Sequence, residues 1–270
     1  MQGPALACDC HIHVFGPFAC YPLDAARKYT PPEALLEDYR RVAGKLGTGR
    51  VVFVQPSVYG IDNACQRDAL VAMGERARGV AVIDPSISED ALGELDSAGF
   101  VGARINLMRA GDLESMEAIA ARVKPLGWHV QLHAPGAMLP ELADRLLKLR
   151  VDFVIDHFGR VDGALGVDHP AFQALLRLVD SGRCWVKLSG AYYLDHGRPP
   201  YAKAAPFARA LLQRQPERMV WATNWPHPEV APVPEDQGLL DAVLDWAPDE
   251  KIRNRVLVDN PARLYRFRGD

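Results

Sequence analysis

Short apolar runs alternate with longer amphipathic segments along the whole chain. The runs Val-Val-Phe-Val at 51–54 and Val-Ala-Val-Ile at 80–83 are almost continuously hydrophobic. Strands that are buried on both faces, as in a parallel sheet covered by helices, show this pattern. We therefore predict eight strands, at residues 7–14, 50–55, 79–83, 100–106, 127–133, 152–156, 184–188 and 219–223.

The segments between these strands carry apolar residues on one helical face. We predict that one helix opens at Pro31-Pro32-Glu33, and that others cover residues 139–149, 171–179, 205–213 and 237–246. Eight strands that alternate with helices over about 250 residues favour a (β/α)8 barrel, a single α/β domain over residues 1–270. An open doubly wound sheet is the alternative, but no glycine fingerprint follows the first strand.

Composition narrows the class of protein. The chain has 270 residues, of which 49% are hydrophobic and 24% charged, and its net charge is −3. This charge argues against a nucleic-acid partner that is bound through bulk positive charge. No apolar run approaches the roughly 20 residues of a membrane helix, and no signal peptide is evident. The five cysteines form no CxxC pair, so we expect reduced thiols in a cytoplasmic protein.

Polar side chains cluster at the predicted C-terminal ends of the strands, where barrel enzymes carry their active sites. In the first strand, alternation puts Asp9, His11 and His13 on one face, which we expect to point into the barrel mouth. The opposite face carries Cys8, Cys10 and Ile12 and suits packing against helices. Two histidines at i and i+2 can converge on a metal ion or on a substrate, and this spacing leaves both possibilities open.

The fourth strand supplies a positively charged candidate. Arg104 should point into the barrel, where a bidentate substrate carboxylate is its natural partner. The alternative is an internal ion pair with a strand aspartate such as Asp9 or Asp84. Arg109 lies on the following loop and is either a second guanidinium for the substrate or an exposed loop residue.

Histidines and tyrosines end the remaining strands. His133 and His157 stand at the ends of strands five and six, and both are site candidates. Tyr193 lies on the loop after strand seven and His227 follows strand eight, so both are candidates for substrate contact. His196 is expected in a solvated loop.

Taken together, these segments resemble the amidohydrolase superfamily, in the branch often called amidohydrolase-2. Within that branch the chain is most similar to 2-pyrone-4,6-dicarboxylate lactonases and related sugar-acid lactone enzymes. The resemblance runs from residue 9 to residue 265, nearly the whole chain. It is carried by Asp-Cys-His-Ile-His-Val-Phe-Gly-Pro (9–17), Val-Gln-Pro-Ser-Val-Tyr-Gly (54–60), Gly-Ala-Arg-Ile-Asn (102–106), Val-Ile-Asp-His-Phe-Gly-Arg (154–160), Trp-Ala-Thr-Asn-Trp-Pro-His (221–227) and Asn-Pro-Ala-Arg-Leu-Tyr (260–265).

The resemblance implies roles for individual residues. His11 and His13 match a pair that binds metal in many members but contacts substrate in the lactonases, which need no metal. His157 matches a histidine that polarises the scissile carbonyl or binds metal. Residues that match carboxylate-binding positions are Ser57 and Arg104, with Tyr29 as a further candidate from the first loop. His133 falls near a position that is tyrosine in the pyrone-dicarboxylate enzymes, so it indicates a metal-binding member or a different lactone specificity.

Asn224 departs from the family pattern, which is Thr-Asp-Trp-Pro-His at this point. The family's aspartate takes a proton from the attacking water, and a neutral amide cannot act as that base. Either the position was changed to trap substrate, which we favour, or the chain is a natural variant that uses another base or binds without turnover.

Three hypotheses follow. The leading one is hydrolysis of a lactone in a small carboxylated metabolite, such as a pyrone dicarboxylate or a sugar-acid lactone, without a cofactor and with low turnover because of Asn224. The second is a metal-dependent hydrolase or nonoxidative decarboxylase, in which His11, His13, His133 and His157 would ligate one Zn²⁺ or Mn²⁺. The third is a ligand-binding barrel without catalysis. We also expect no membrane partner and possible assembly as a homo-oligomer.

Overall fold

The computed structural model describes residues 2–109, 112–195 and 199–268, so His196 lies outside the described residues. Its centre is an eight-stranded parallel sheet in which the strands follow chain order. The strands are β1 (Cys8–Ile12), β2 (Arg50–Val54), β3 (Ala77–Ala81), β4 (Phe100–Asn106), β5 (His129–His133), β6 (Phe153–Ile155), β7 (Cys184–Leu188) and β8 (Met219–Trp221). A parallel bridge between Ile12 and Trp225 joins the end of β1 to the segment after β8. The predicted (β/α)8 barrel is therefore confirmed.

Helices surround the sheet and bury their apolar faces against it. They are α1 (Leu36–Leu46), α2 (Ala64–Met73), α3 (Glu89–Ala98), α4 (Met116–Val123), α5 (Leu139–Lys148), α6 (Pro170–Asp180), α7 (Tyr192–Asp195), α8 (Ala205–Arg214), α9 (Asp236–Trp246), α10 (Glu250–Asn254) and α11 (Asn260–Leu264), with a π-helical stretch at Arg255–Asp259. The predicted helices at 139–149, 171–179, 205–213 and 237–246 are confirmed as α5, α6, α8 and α9. Within the described ranges, no helix combines the length and the apolar character needed to cross a bilayer.

The predicted helix start at Pro31-Pro32-Glu33 is wrong, because α1 begins only at Leu36. The backbone before it is extended, and Ala34 pairs with Phe15 in an isolated antiparallel bridge. The Asp38 carboxylate accepts a hydrogen bond from the Leu35 backbone N–H at 2.8 Å. This contact satisfies a free N–H at the helix start, and the helix begins one residue later.

The third strand lies two residues earlier than predicted, because its apolar run continues past the sheet. The side chain of Asn63 takes over the backbone hydrogen bonds at Val82, accepting from its N–H at 3.0 Å and donating to its carbonyl at 2.9 Å. An amide side chain offers both a donor and an acceptor, so it can replace a neighbouring strand at this point. The apolar pattern extends over Val82 and Ile83, but the backbone hydrogen bonds between β3 and its neighbouring strands do not.

The expected division of faces in β1 is wrong at Cys8 and Cys10. Both sulfur side chains pack inside the barrel, in an apolar cluster with Val52, Val154 and Trp185 from other strands. Only Ile12 of that set joins the core between sheet and helices. The register of β1 against β2 is irregular between Asp9 and Ile12. Such an irregularity breaks strict alternation, so His11 follows Cys10 on the inward side.

Asp9 lies away from the barrel mouth, because it alternates with the inward-facing Cys8 and Cys10. Its carboxylate accepts hydrogen bonds from the Thr223 backbone N–H at 2.9 Å and from the Thr223 hydroxyl at 2.6 Å. Burial raises the pKa of Asp9 to about 7, although the Thr223 hydrogen bonds oppose that shift. Asp9 therefore connects β1 by hydrogen bonds to Thr223, two residues after the end of β8.

Candidate active site

A pocket of about 290 Å³ opens at the C-terminal ends of the strands, the position at which barrel enzymes bind substrate. At this size, near the lower end for ligand pockets, it suits a small metabolite. The predicted site residues that line it are His13, Tyr29, Ser57, Arg104, Arg109, His133, His157, Tyr193 and Asn224. Two predicted residues lie elsewhere: His11 is fully buried beside His13, and His227 is buried behind Tyr192.

Four histidine rings converge at the inner end of the pocket. The ring centroids of His11 and His157 are 4.7 Å apart, and those of His133 and His157 are 5.0 Å apart. Burial lowers the pKa of His13 to about 3. It also holds the pKa values of the other three rings well below the usual range for histidine. The cluster is therefore neutral near pH 7, and each ring offers one N–H donor and one lone pair.

Beneath the histidines lies a buried charged layer that the sequence analysis missed. Asp156 accepts hydrogen bonds from Arg104 Nη2 and Gln131 Nε2, both at 3.2 Å, and its other oxygen lies 3.6 Å from Lys187 Nζ. Burial alone would raise the pKa of Asp156, but His11, Lys187 and Arg104 hold it well below its usual range. Burial lowers the pKa of Lys187 to about 8 against the opposing effect of Asp156. The ion pair expected for Arg104 therefore exists, but with Asp156 instead of Asp9 or Asp84.

Arg160 is a pocket residue that the sequence analysis also missed. Its guanidinium carbon lies 3.6 Å from the centroid of the Tyr193 ring. No carboxylate of the described chain forms an ion pair with it. Residues 157–160 all have positive φ values of 52° to 67°, a backbone shape that is costly for non-glycine residues and recurs at functional sites. This left-handed turn directs both His157 and Arg160 to the pocket.

The positive charges of the other two pocket arginines are paired with carboxylates. Arg104 pairs with Asp156 as described, and Arg109 forms an ion pair with Glu229, which also lines the pocket. Arg109 additionally lies over the ring of Tyr29, with 5.3 Å between the guanidinium carbon and the ring centroid. Arg160 is thus the pocket guanidinium that remains without a negative partner in the part of the chain that the structure describes.

A chain of hydrogen bonds fixes the side chain of Asn224. The Asp236 carboxylate can only accept, so His227 Nε2, 2.8 Å away, carries a proton, and the neutral form of this ring has a lone pair on Nδ1. Tyr192 therefore donates its hydroxyl hydrogen to Nδ1 at 3.2 Å, and its oxygen accepts from Asn224 Nδ2 at 2.7 Å. The Asn224 Oδ1 atom is buried and accepts no hydrogen bond within the described ranges. The pocket therefore contains an unused acceptor at residue 224.

The residues also fit a divalent cation. Ligand atoms of His11, Asp156 and His157 all lie within 4.8 Å of one another, and the three side chains are buried. The Asp156 Oδ1 atom has no hydrogen-bond partner in the described chain. Imidazole nitrogens with a carboxylate oxygen are a common zinc donor set. A cation bound there would polarise a substrate carbonyl as a Lewis acid.

Comparisons with known proteins find relatives that match nearly the whole chain. The chain is 37% identical to a 4-sulfomuconolactone hydrolase of Hydrogenophaga intermedia, over 95% of this chain and 88% of the relative. It is also 37% identical to a 2-pyrone-4,6-dicarboxylate hydrolase of Comamonas testosteroni (97% and 90% covered). A D-galactarolactone isomerase of Agrobacterium fabrum is again 37% identical (98% and 92% covered). A solved apo structure from Agrobacterium tumefaciens has 36% identity and a TM-score of 0.92, over 100% of this chain and 98% of that one.

These relatives are named as hydrolases or an isomerase of lactones, and the chain is likewise an enzyme of lactone chemistry, built on a (β/α)8 barrel. The family model described as Amidohydrolase matches residues 8–267, and the chain belongs to that family. The resemblance drawn from the motifs is therefore confirmed.

Proposed function

We propose that this enzyme cleaves the ring ester of a small lactone that carries one free carboxylate, and that the reaction is hydrolysis. One observation carries the proposal: a single pocket combines neutral imidazole donors with one guanidinium that has no negative partner in the described chain. The imidazoles suit a carbonyl oxygen on which negative charge develops, and the guanidinium suits a carboxylate.

The donor for the carbonyl oxygen follows from the hydrogen bonds. Arg104 Nη2 lies 3.3 Å from His133 Nδ1. Because a guanidinium can only donate, His133 Nδ1 accepts, and the proton of this neutral ring is on Nε2. The Nε2 atom is buried and has no partner among the described residues. In our proposal His133 donates this N–H to the carbonyl oxygen, and His157 supports it from the neighbouring position. This assignment differs from the sequence expectation, which gave the role to His11, His13 and His157.

The charge of the pocket supports a substrate with one carboxylate. The Arg104 and Arg109 guanidiniums already face Asp156 and Glu229, which leaves Arg160 for the substrate. A pyrone dicarboxylate would bring two negative charges to this single free cation. A sugar-acid lactone with one remaining carboxylate brings one negative charge, which matches the single guanidinium left for the substrate. Ser57, Tyr29 and Tyr193 line the same pocket and would orient the substrate.

In the hydrolysis, the oxygen of water adds to the carbonyl carbon and the carbonyl oxygen becomes an oxyanion. The ring C–O bond then breaks, and the proton lost by water ends on the departing ring oxygen. Asn224 has no basic lone pair with which to accept that proton, so we expect slow hydrolysis by this chain. The Asn224→Asp variant should hydrolyse the lactone about 10²–10⁴-fold faster. Equal rates would remove residue 224 from the role of base.

Asn224 also favours a second function, the isomerisation of a lactone. Here a hydroxyl of the substrate itself attacks the carbonyl, the old ring ester breaks, and the proton passes from the attacking hydroxyl to the released oxygen. An attacking group that is part of the substrate has a high effective concentration and needs less activation than water. The unused Oδ1 of Asn224 can accept a hydrogen bond from that hydroxyl. The relative named D-galactarolactone isomerase supports this second function.

One labelling experiment separates the two functions. The enzyme is incubated in H₂¹⁸O with a sugar-acid lactone that has one carboxylate and free hydroxyls, and the products are analysed by NMR and mass spectrometry. Hydrolysis gives an open acid that contains one ¹⁸O atom, whereas isomerisation gives a new lactone without label. If neither this chain nor Asn224→Asp accelerates either reaction, the proposal of lactone cleavage fails and the ligand-binding barrel takes its place.

We also propose that catalysis needs no metal, because Lys187 and Arg104 already place positive charge beside Asp156. Stoichiometric zinc or manganese in active enzyme that has been purified without chelator would contradict this. The cytoplasmic location is proposed on the five cysteines, which are all free thiols. The homo-oligomer stays a prediction that a mass measurement in solution can check.

A further inference from the structure

Lys187 lies beneath the pocket and supplies positive charge beside Asp156, but its contact with the histidine cluster has not been used so far. The residue is fully buried on β7, inside the barrel. Its Nζ atom lies 2.9 Å from the Cys10 carbonyl oxygen, 2.8 Å from Gln131 Oε1 and 3.2 Å from His11 Nδ1. An ammonium group has three hydrogens to donate and no lone pair. A hydrogen bond from Lys187 to His11 therefore needs a lone pair on Nδ1, and the longer contact of Nζ with Asp156 Oδ1, at 3.6 Å, is the alternative for that hydrogen.

The contacts of His13, the other histidine of the pair, independently indicate the same tautomer of His11. His13 Nδ1 lies 2.6 Å from the Val54 carbonyl oxygen, which can only accept. His13 therefore carries its proton on Nδ1 and a lone pair on Nε2. A hydrogen bond between His11 Nε2 and this lone pair, 3.3 Å away, therefore needs the proton of His11 on Nε2. Both ends place the proton of His11 on Nε2.

A competing arrangement is close in space. His11 Nδ1 lies 3.3 Å from Asp156 Oδ1, to which it would donate if the proton were on Nδ1. The Nε2 lone pairs of His11 and His13 would then face each other at 3.3 Å. Two nitrogens bound tetrahedrally to zinc at 2.0–2.1 Å are separated by about 3.4 Å. The same two rings could therefore form a metal-ligand pair, and only the position of one proton decides between the two arrangements.

We propose that Lys187 is a positioning residue that holds His11 in the Nε2–H tautomer, and that it thereby makes the His11–His13 pair a hydrogen-bonded pair and not a metal-ligand pair. In the competing arrangement, an N–H of Lys187 would point at an N–H of His11. Asp156 Oδ1 lies 3.3 Å from His11 Nδ1 and 3.6 Å from Lys187 Nζ, and neither contact is a well-directed hydrogen bond, which is consistent with this assignment. The proposal does not depend on whether water or a hydroxyl attacks the lactone.

The first test uses the unmodified protein. Histidine is labelled with ¹⁵N, and long-range ¹H–¹⁵N correlation spectra report which ring nitrogen of His11 carries the proton. We expect the proton on Nε2 of His11 and on Nδ1 of His13. A proton on Nδ1 of His11 in the metal-free protein overturns the proposal, whatever any variant does.

The second test compares two variants on the same strand. Lys187→Met removes the donor, whereas Trp185→Phe changes an interior side chain two residues away for which the structure gives no contact with His11. Each is titrated with Zn²⁺ and with Co²⁺, whose absorption reports imidazole ligation. Groups that orient a metal ligand from outside the coordination sphere contribute about 10–100-fold to metal affinity, and we take the same scale for a group that orients a ligand away from metal. We expect Lys187→Met to bind metal at least 10-fold more tightly than the wild type, with the proton of His11 now on Nδ1, and Trp185→Phe to match the wild type. Equal affinities in all three proteins overturn the proposal, and if Lys187→Met does not fold, the wild-type spectrum decides.

Discussion

Removal of the Arg160 guanidinium should weaken binding of a charged lactone specifically. In the proposed complex this group meets the substrate carboxylate, while Arg104 and Arg109 stay paired with Asp156 and Glu229. A hydrogen bond to a charged group contributes about 1.5–3 kcal/mol. At about 1.4 kcal/mol for each factor of ten, Arg160→Met should raise the dissociation constant about 10- to 150-fold.

The assay is calorimetric or fluorescence titration with two ligands, a sugar-acid lactone that carries a carboxylate and the corresponding lactone methyl ester. In Arg160→Met, the dissociation constant of the carboxylate ligand should rise by this whole factor, whereas that of the methyl ester should change little. A double variant, Arg109→Met with Glu229→Gln, is the matched control because it removes one charge of each sign from the same pocket. It should bind both ligands nearly as the wild type does. If Arg160→Met weakens both ligands equally, or neither, then Arg160 does not bind the carboxylate.

Three further outcomes are expected. Tyr192→Phe removes the acceptor that fixes the Asn224 amide, so kcat should fall about 5- to 10-fold, as for one lost hydrogen bond, with little change in carboxylate affinity. Tyr201→Phe is the control, since the Tyr201 hydroxyl has no partner among the described residues, and a similar loss there would argue against the specific role. The pH dependence of stability follows from buried histidines such as His13 and His129, whose pKa values burial lowers to about 3. The unfolded state binds their protons below about pH 6.5 and the folded state does not, so the free energy of unfolding should fall by about 1.4 kcal/mol per pH unit per histidine between pH 6.5 and 3. Chemical denaturation across this range should show a smaller slope for His129→Gln, and an unchanged slope would mean that His129 is not held neutral.

The barrel could be predicted because its signal is repeated. Eight predicted strands, some of them with apolar runs such as 51–54, alternate with helical segments, and small errors in one element do not change the total. The errors arose where a side chain replaces the backbone partner, as Asn63 does at the end of β3. A pattern of apolar residues carries no information on such a contact, because the two residues are far apart in sequence.

The pocket residues were predictable to the extent that they end strands. His133 and His157 follow directly from that rule, and both line the pocket. Alternation failed in β1, where the register irregularity turns His11 and Cys10 to the same side. That irregularity depends on pairing with β2, which the sequence of one strand does not reveal.

The charged layer beneath the pocket had weak local signals. Lys187 is a lone charge within the apolar strand Cys-Trp-Val-Lys-Leu, and Asp156 stands directly before a predicted site histidine. A single buried charge is costly unless it is paired, so each of these residues implied a partner. The partner itself, on the neighbouring strand of the barrel, became visible only in three dimensions.

Lactone cleavage itself can be measured directly by NMR. A sugar-acid lactone with one free carboxylate is followed with and without enzyme, in water that contains ¹⁸O, together with Arg160→Met at the same concentration. We predict that the wild type converts the lactone faster than the spontaneous reaction, into the open acid or a new lactone, and that Arg160→Met needs a much higher substrate concentration for the same rate. A wild-type rate equal to the spontaneous rate, with Asn224→Asp equally inactive, would show that this pocket does not cleave such an ester.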